Sequence, residues 1–150
     1  MNKLTKYNVI FLFVLAILFN TNSCNGSLNE SQRYFIEQST MKNDSIRKHS
    51  FLDCMYRDSY FPKFLVDKCK NILLELCKNI EDQKPKTNED LYKLTHNSVK
   101  KINDLNAEFD DNDSDLETMA RECLAADYLF ITEVYGYKVD AEEMISNRDW

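Results

Sequence analysis

FLVDKCKNILLELCKNI, residues 64–80, decides the fold. Leu65, Val66, Cys69, Ile72, Leu73, Leu76, Cys77 and Ile80 recur at spacings of three and four, the broad apolar stripe of an amphipathic helix. Just upstream, Pro62 suits a first turn, where its missing N–H is not needed, and Ser59 is placed to cap it. Pro85 ends the run.

Working outward, Thr87 and Asp90 stand three apart, a looser capping box that opens a second helix. Its seam, Leu91, Thr95, Ser98, Ile102, Leu105 and Phe109, alternates spacings of four and three, and its small polar members let a neighbour approach closely. The stretch Asp110 to Asp115 reads as an acidic hinge. Ser114 and Glu117 then predict a capping box for a third helix, whose negative start suits the helix dipole. Leu116, Met119, Ala120, Cys123, Leu124, Tyr128, Ile131 and Tyr135 make its stripe, and Gly136 stops it. This helix is expected to be the most buried. Asp140 caps a short last helix carrying Met144 and Ile145. Two Gly and two Pro in 150 residues leave too few tight turns for a sandwich or barrel. The expected class is all-α: a small up-down helical bundle of three long helices plus a short C-terminal helix, behind an N-terminal signal segment.

That signal segment runs Val9 to Phe19. Lys3 and Lys6 precede it, and small polar residues with Cys24 follow, the order of an export leader. Eleven residues of helix cover only about 16 Å of a hydrocarbon core about 30 Å thick, too short for a span. Ser23 before Cys24 resembles the site at which bacterial lipoproteins are cut and lipidated, which makes Cys24 a candidate acylation site; ordinary signal-peptidase cleavage, with Thr21 and Ser23 as its small residues, is the alternative. The domain reading is therefore signal peptide 1–23, polar tether 24–50 and helical domain 51–150. The expected location is the cell envelope, or secretion.

Removing Lys3 and Lys6 leaves 17 basic against 25 acidic residues. Such a chain is a poor nucleic-acid binder, since phosphate contact needs clustered Lys and Arg, and it meets a membrane only through a lipid on Cys24.

Chemistry-bearing residues are few. Asp111, Asp113, Asp115 and Glu122 imitate the spacing of a calcium loop, but Leu116 stands where the sharp turn needs Gly, so the pattern is broken. Cys54, Cys69, Cys77 and Cys123 permit disulfides in an oxidising compartment. Cys69 and Cys77 lie about 12 Å apart along one helix and cannot bridge each other, so a pair must cross helices, for instance Cys69 or Cys77 with Cys123. Neither His49, in the tether, nor His96, beside the second seam, sits in a metal-binding frame, and no metal or cofactor is expected. Asp127, among Ala125, Ala126 and Tyr128, is expected to be buried and hence paired, with Arg121, Arg57 or Arg148 as partner. Asp127, Tyr128, Arg121 and His96 are the candidate ligand or buried polar site. Tyr56, Tyr60, Phe61 and Trp150 are expected to form one aromatic group. No nucleophile elbow, phosphate loop or convincing acid–base pair supports an enzyme.

Met55-Tyr56-Arg57-Asp58-Ser59-Tyr60-Phe61-Pro62, Leu91-Tyr92-Lys93-Leu94-Thr95-His96, Ala120-Arg121-Glu122-Cys123 and Arg148-Asp149-Trp150 together resemble a bacterial family known as domain of unknown function 5713. The resemblance spans residues 51 to 150 and implies a short helical protein with no assigned reaction, cofactor or ligand. The leading functional expectation is a non-enzymatic protein-interaction module. A small-ligand or metal-binding domain is the alternative, and a small hydrolytic enzyme the third class.

Overall fold

The computed structural model describes residues 35–150. The leader, Cys24 and the first part of the tether lie outside the described residues. The fold is all-helical, with α1 Asp44–Lys48, α2 Asp53–Arg57, α3 Lys63–Gln83, α4 Asn88–Asn103, α5 Asn106–Asp110, α6 Thr118–Val134 and α7 Ala141–Met144, after a 3-10 turn at Gln38–Thr40. No described helix is long and apolar enough to cross a membrane.

The stripe of α3 is the core wall. Leu65, Val66, Cys69, Leu73, Leu76, Cys77 and Ile80 are buried, with Leu74 beside them, while Ile72 is only partly buried. Ser59 does not cap this helix. Pro62 occupies the cap position, and its carbonyl accepts from the N–H groups of Leu65 and Val66 in the first turn. Lys84 closes the other end in the left-handed region, just before Pro85.

In α4, Thr87 accepts from the Asp90 N–H at 3.1 Å, as expected. The seam is buried throughout, but it is not one helix. The chain breaks at Asp104 and Leu105 and resumes as α5, with Leu105 and Phe109 still facing the core. The expected capping box at Ser114 does not form. The Ser114 N–H bonds to the Phe109 carbonyl, which wraps the residue inward after α5. Its hydroxyl is buried without a partner. Asp115 takes over, accepting the Glu117 N–H at 2.9 Å, and α6 begins at Thr118. Met119, expected on the buried stripe, is 51% exposed in the first turn of α6. Gly136, at φ 85°, ends α6 in a double closure, with the Gly136 N–H on Glu133 and the Tyr137 N–H on Thr132. Asp140 caps α7 through the Glu143 N–H at 3.0 Å.

The tether reading fails for residues 35–50. Met41 and Ile46 are at most 3% exposed, as are the adjoining Phe51 and Leu52 of the expected domain, so this stretch is a strap packed on the core. Its polar side chains fasten it. Gln38 donates to the carbonyls of Ile46 and His49, both at 2.7 Å. Asn43 caps α1 and donates to the Val134 carbonyl at the end of α6. The Glu81 carboxylate on α3 accepts the N–H groups of Lys42 and Asn43 together with the Tyr135 hydroxyl. Asn71 accepts the Ile36 N–H at 2.7 Å.

Candidate functional site

Asp127 is buried, as its apolar neighbours predict, but its partner is none of the three arginines. His49 Nε2 lies 2.7 Å from one carboxylate oxygen, and the Leu52 N–H donates to the other at 2.7 Å. Arg121 sits six residues away on the same helix and so faces elsewhere. Arg57 pairs with Asp53, and Arg148 with Glu142. Burial pushes the Asp127 carboxyl above the usual carboxylate range, while the His49 and Leu52 bonds pull the other way. The His49 ring stacks on Phe130 at 3.7 Å and meets Phe51 edge-on at 4.6 Å. A His–Asp pair can orient an imidazole as a general base. Among the described residues, however, no hydroxyl or thiol bonds to His49, and the carboxylate also holds Leu52, whose φ of 53° is strained for a branched side chain.

Tyr128 points elsewhere. Its hydroxyl meets Ser98 at 2.8 Å inside the core, where burial raises its pKa. That bond shows why the α4 seam carries a small polar residue. His96 binds the Glu143 carbonyl at 2.7 Å and stacks on Tyr92, which docks the C-terminal segment on α4. Arg121 is exposed, without an ion pair among the described residues, on the wall of a trough of 830 Å³ shared with Tyr92 and Trp150. The four residues read together from the sequence thus divide among three places.

Cysteine is likewise rearranged. Cys54 pairs with Cys123, with Cα atoms 6.3 Å apart, while Cys69 and Cys77 stay free and buried. Burial pushes the Cys69 thiol up to about 12, which leaves it an inert core residue. Cys123 and Asp127 are one turn apart on α6, so the disulfide and the carboxylate secure the same stretch, residues 49–54, to the same helix face.

Three of the four exposed large apolar side chains lie where α3 and α6 begin. Tyr60, Phe64 and Met119 are 44%, 51% and 51% exposed. The Tyr60 hydroxyl donates to Asp115 at 2.5 Å, which joins the stretch carrying Tyr60 and Phe64 to the stretch carrying Met119. That bond lowers the Asp115 pKa and raises that of Tyr60, with Glu117 adding to the latter. In the chain just before Met119 run Asp110, Asp111, Asp113, Asp115 and Glu117. None of them has an ion pair among the described residues. Helical spacing alone assigns Met119 to the core and the acidic run to a hinge. The signal that it missed is the pairing of unneutralised charge with apolar exposure. Trp150 lines the trough with Tyr92, while Tyr60 packs edge-on against Phe61 at 5.1 Å.

The family of unknown function (DUF5713) matches residues 45–150, well over half of the chain. The chain belongs to that family. The match begins inside α1, so the DUF5713 region takes in part of the strap. No curated protein and no solved structure matches this DUF5713 chain.

Proposed function

We propose that this DUF5713 protein is a non-enzymatic interaction module whose α3–α6 face binds a basic protein segment bearing apolar side chains. One observation carries the reading: the four hinge carboxylates and Glu117, which have no ion pair among the described residues, run in the chain just before exposed Met119, and one of them, Asp115, accepts from the hydroxyl of exposed Tyr60. Charge on such a rim steers a cationic partner, and the apolar centre supplies contact area. The three long helices are read as an up-down bundle, a rigid platform for that face; the Ser98–Tyr128 bond and the Asn88–Lys138 bond support antiparallel α4 and α6. We further propose that the protein is exported, with its leader removed and Cys24 as the point of lipid attachment. The Cys54–Cys123 disulfide supports this, since such bonds persist in oxidising compartments.

The test uses the full chain from its native host. Its intact mass reports leader removal, acyl chains and the disulfide together. Immobilised protein, wild type or carrying Phe64→Ser with Met119→Ser, or Asp111→Asn with Asp113→Asn, is then challenged with envelope extract over a salt series. A partner that salt releases, and that both double variants lose, supports the reading. Retention unaffected by either pair overturns it.

A further inference from the structure

We propose that the trough along the C-terminal segment is a second, independent binding site, for an extended peptide with a basic residue at one end and a carboxylate at the other. Asn88 donates to the Lys138 carbonyl, His96 meets the Glu143 carbonyl, Asn103 donates to the Asn147 carbonyl, and Asn106 donates to the Asp149 carboxylate. Residues 138–149 therefore run beside α4 and α5 in the same direction. Tyr92 and Trp150 consequently stand at opposite ends of the trough, about 20 Å apart at 1.5 Å per helical residue. An extended chain covers that distance in about six residues.

Charge is graded along this length. At the Tyr92 end stand Asp140 and Glu143, both exposed, and the Glu143 carboxylate has no partner among the described residues. At the Trp150 end stands Arg121, also without an ion pair among the described residues, while the neighbouring Asp149 carboxylate is held by Asn106. Between them Arg148 and Glu142 neutralise each other at 3.1 Å. An aromatic ring lies beside each charged end, so a peptide ammonium or guanidinium meets carboxylates with a tyrosine ring, and a peptide carboxylate meets a guanidinium with an indole. Both are recognised pairings of charge with ring or fork. The volume of 830 Å³ falls within the range of ligand-holding clefts. A single small anion would leave the acidic end unused, and a single small cation would leave Arg121 unused; a segment spanning both uses each group present.

Trp150 is the only tryptophan of the chain, so intrinsic fluorescence reports occupancy directly. The probes are acetylated and amidated hexapeptides on a Gly-Ala spacer with Lys and Glu at the two ends, Lys at both ends, or Glu at both ends. The full mature chain should bind the Lys/Glu peptide saturably and at least tenfold more tightly than either of the others, with affinity falling as salt rises. Arg121→Glu should weaken that peptide about tenfold and turn the preference to the Lys/Lys peptide, with the melting temperature unchanged, because Arg121 is exposed and unpaired. Glu143→Gln supplies a second variant, which should relax the requirement for Lys alone. Equal binding of the three peptides, no fluorescence response, or an Arg121→Glu protein with unaltered preference each overturns the proposal. None of these readouts involves the α3–α6 face, so the two binding claims fail separately.

Discussion

Replacing Asp127 by alanine tests the central joint of the fold. The carboxylate accepts from the buried Leu52 N–H and from His49, each at 2.7 Å. Hydrogen bonds to a charged group contribute about 1.5–3 kcal/mol each, and a buried donor left unpaired costs about 1–3 kcal/mol. Against this loss stands relief: a carboxylate whose pKa is raised by burial is itself held at a cost. The net expectation for Asp127→Ala is a loss of about 3 kcal/mol, which lowers the melting temperature by about 10–15 °C in a domain of this size. Asp127→Asn keeps an oxygen for the Leu52 N–H and should lose only about 1 kcal/mol. Urea melts of both variants give the two losses, and amide exchange at Leu52 locates them. The pH dependence has a definite sign. A folded-state pKa above the unfolded value means that the native state binds the extra proton, so the Asp127 contribution to stability falls as pH rises from the ordinary carboxylate range to the raised value. Asp127→Asn should remove that slope. Asp127→Ala within about 0.5 kcal/mol of wild type, or Asn as damaging as Ala, refutes the reasoning.

Three further outcomes follow from the same geometry. Reducing Cys54–Cys123, which spans 69 positions, should lower unfolding stability by about 4 kcal/mol on loop-closure grounds, read as a fall in the urea midpoint that Cys54→Ser with Cys123→Ser reproduces. Burial alone would raise the Glu81 pKa, but the Lys42 N–H, the Tyr135 hydroxyl and the Asn43 N–H outweigh it and hold it below the usual value. The stabilisation from Glu81 is therefore present above the unfolded carboxylate pKa and lost as pH falls through the lower folded one; Glu81→Gln should cost about 1 kcal/mol at neutral pH and flatten the acid limb of a pH-stability curve. Gly136→Ala meets no atom within 4 Å, so its cost should come from φ alone, about 1 kcal/mol by calorimetry.

The helices were legible because their signals are local. The α3 stripe needs only neighbours three and four residues away, and Thr87, Asp140 and Gly136 act within one turn. The strap was not legible because its fastening is tertiary. Ile36 is held from 35 positions away and Asn43 reaches across 91, while its apolar residues are too few to show a period. In sequence those polar side chains look solvated. Asp127 lies between these cases: flanking alanines predict its burial, but His49 is 78 positions distant and no local pattern could nominate it. Cys54 is one of four candidates in sequence and nothing local selects it; its exposed position, off every apolar stripe, is what distinguishes it from the core thiols Cys69 and Cys77.

The acidic residues sort by what they do for the fold, and the sorting bears on function. Asp90 and Asp140 sit in the first turns of helices, Asp127 and Glu81 hold the strap, and Glu75, Glu108 and Glu142 pair with cations. In the hinge, Asp115 and Glu117 gain from the start of α6. Asp110 and Asp111 do not. They stand at the closing end of α5, where the helix dipole disfavours negative charge, and Asp113 adds its charge at a left-handed φ of 55°. Nothing in the described fold is stabilised by these three charges. Asp110→Asn, Asp111→Asn and Asp113→Asn combined should therefore leave stability equal or raise it, by about 0.3–1 kcal/mol in urea melts at low salt, through reduced repulsion. The same triple variant should weaken capture of a basic partner. A triple variant that melts lower than wild type would mean that the charges serve folding, which would remove the main support for an acidic docking face.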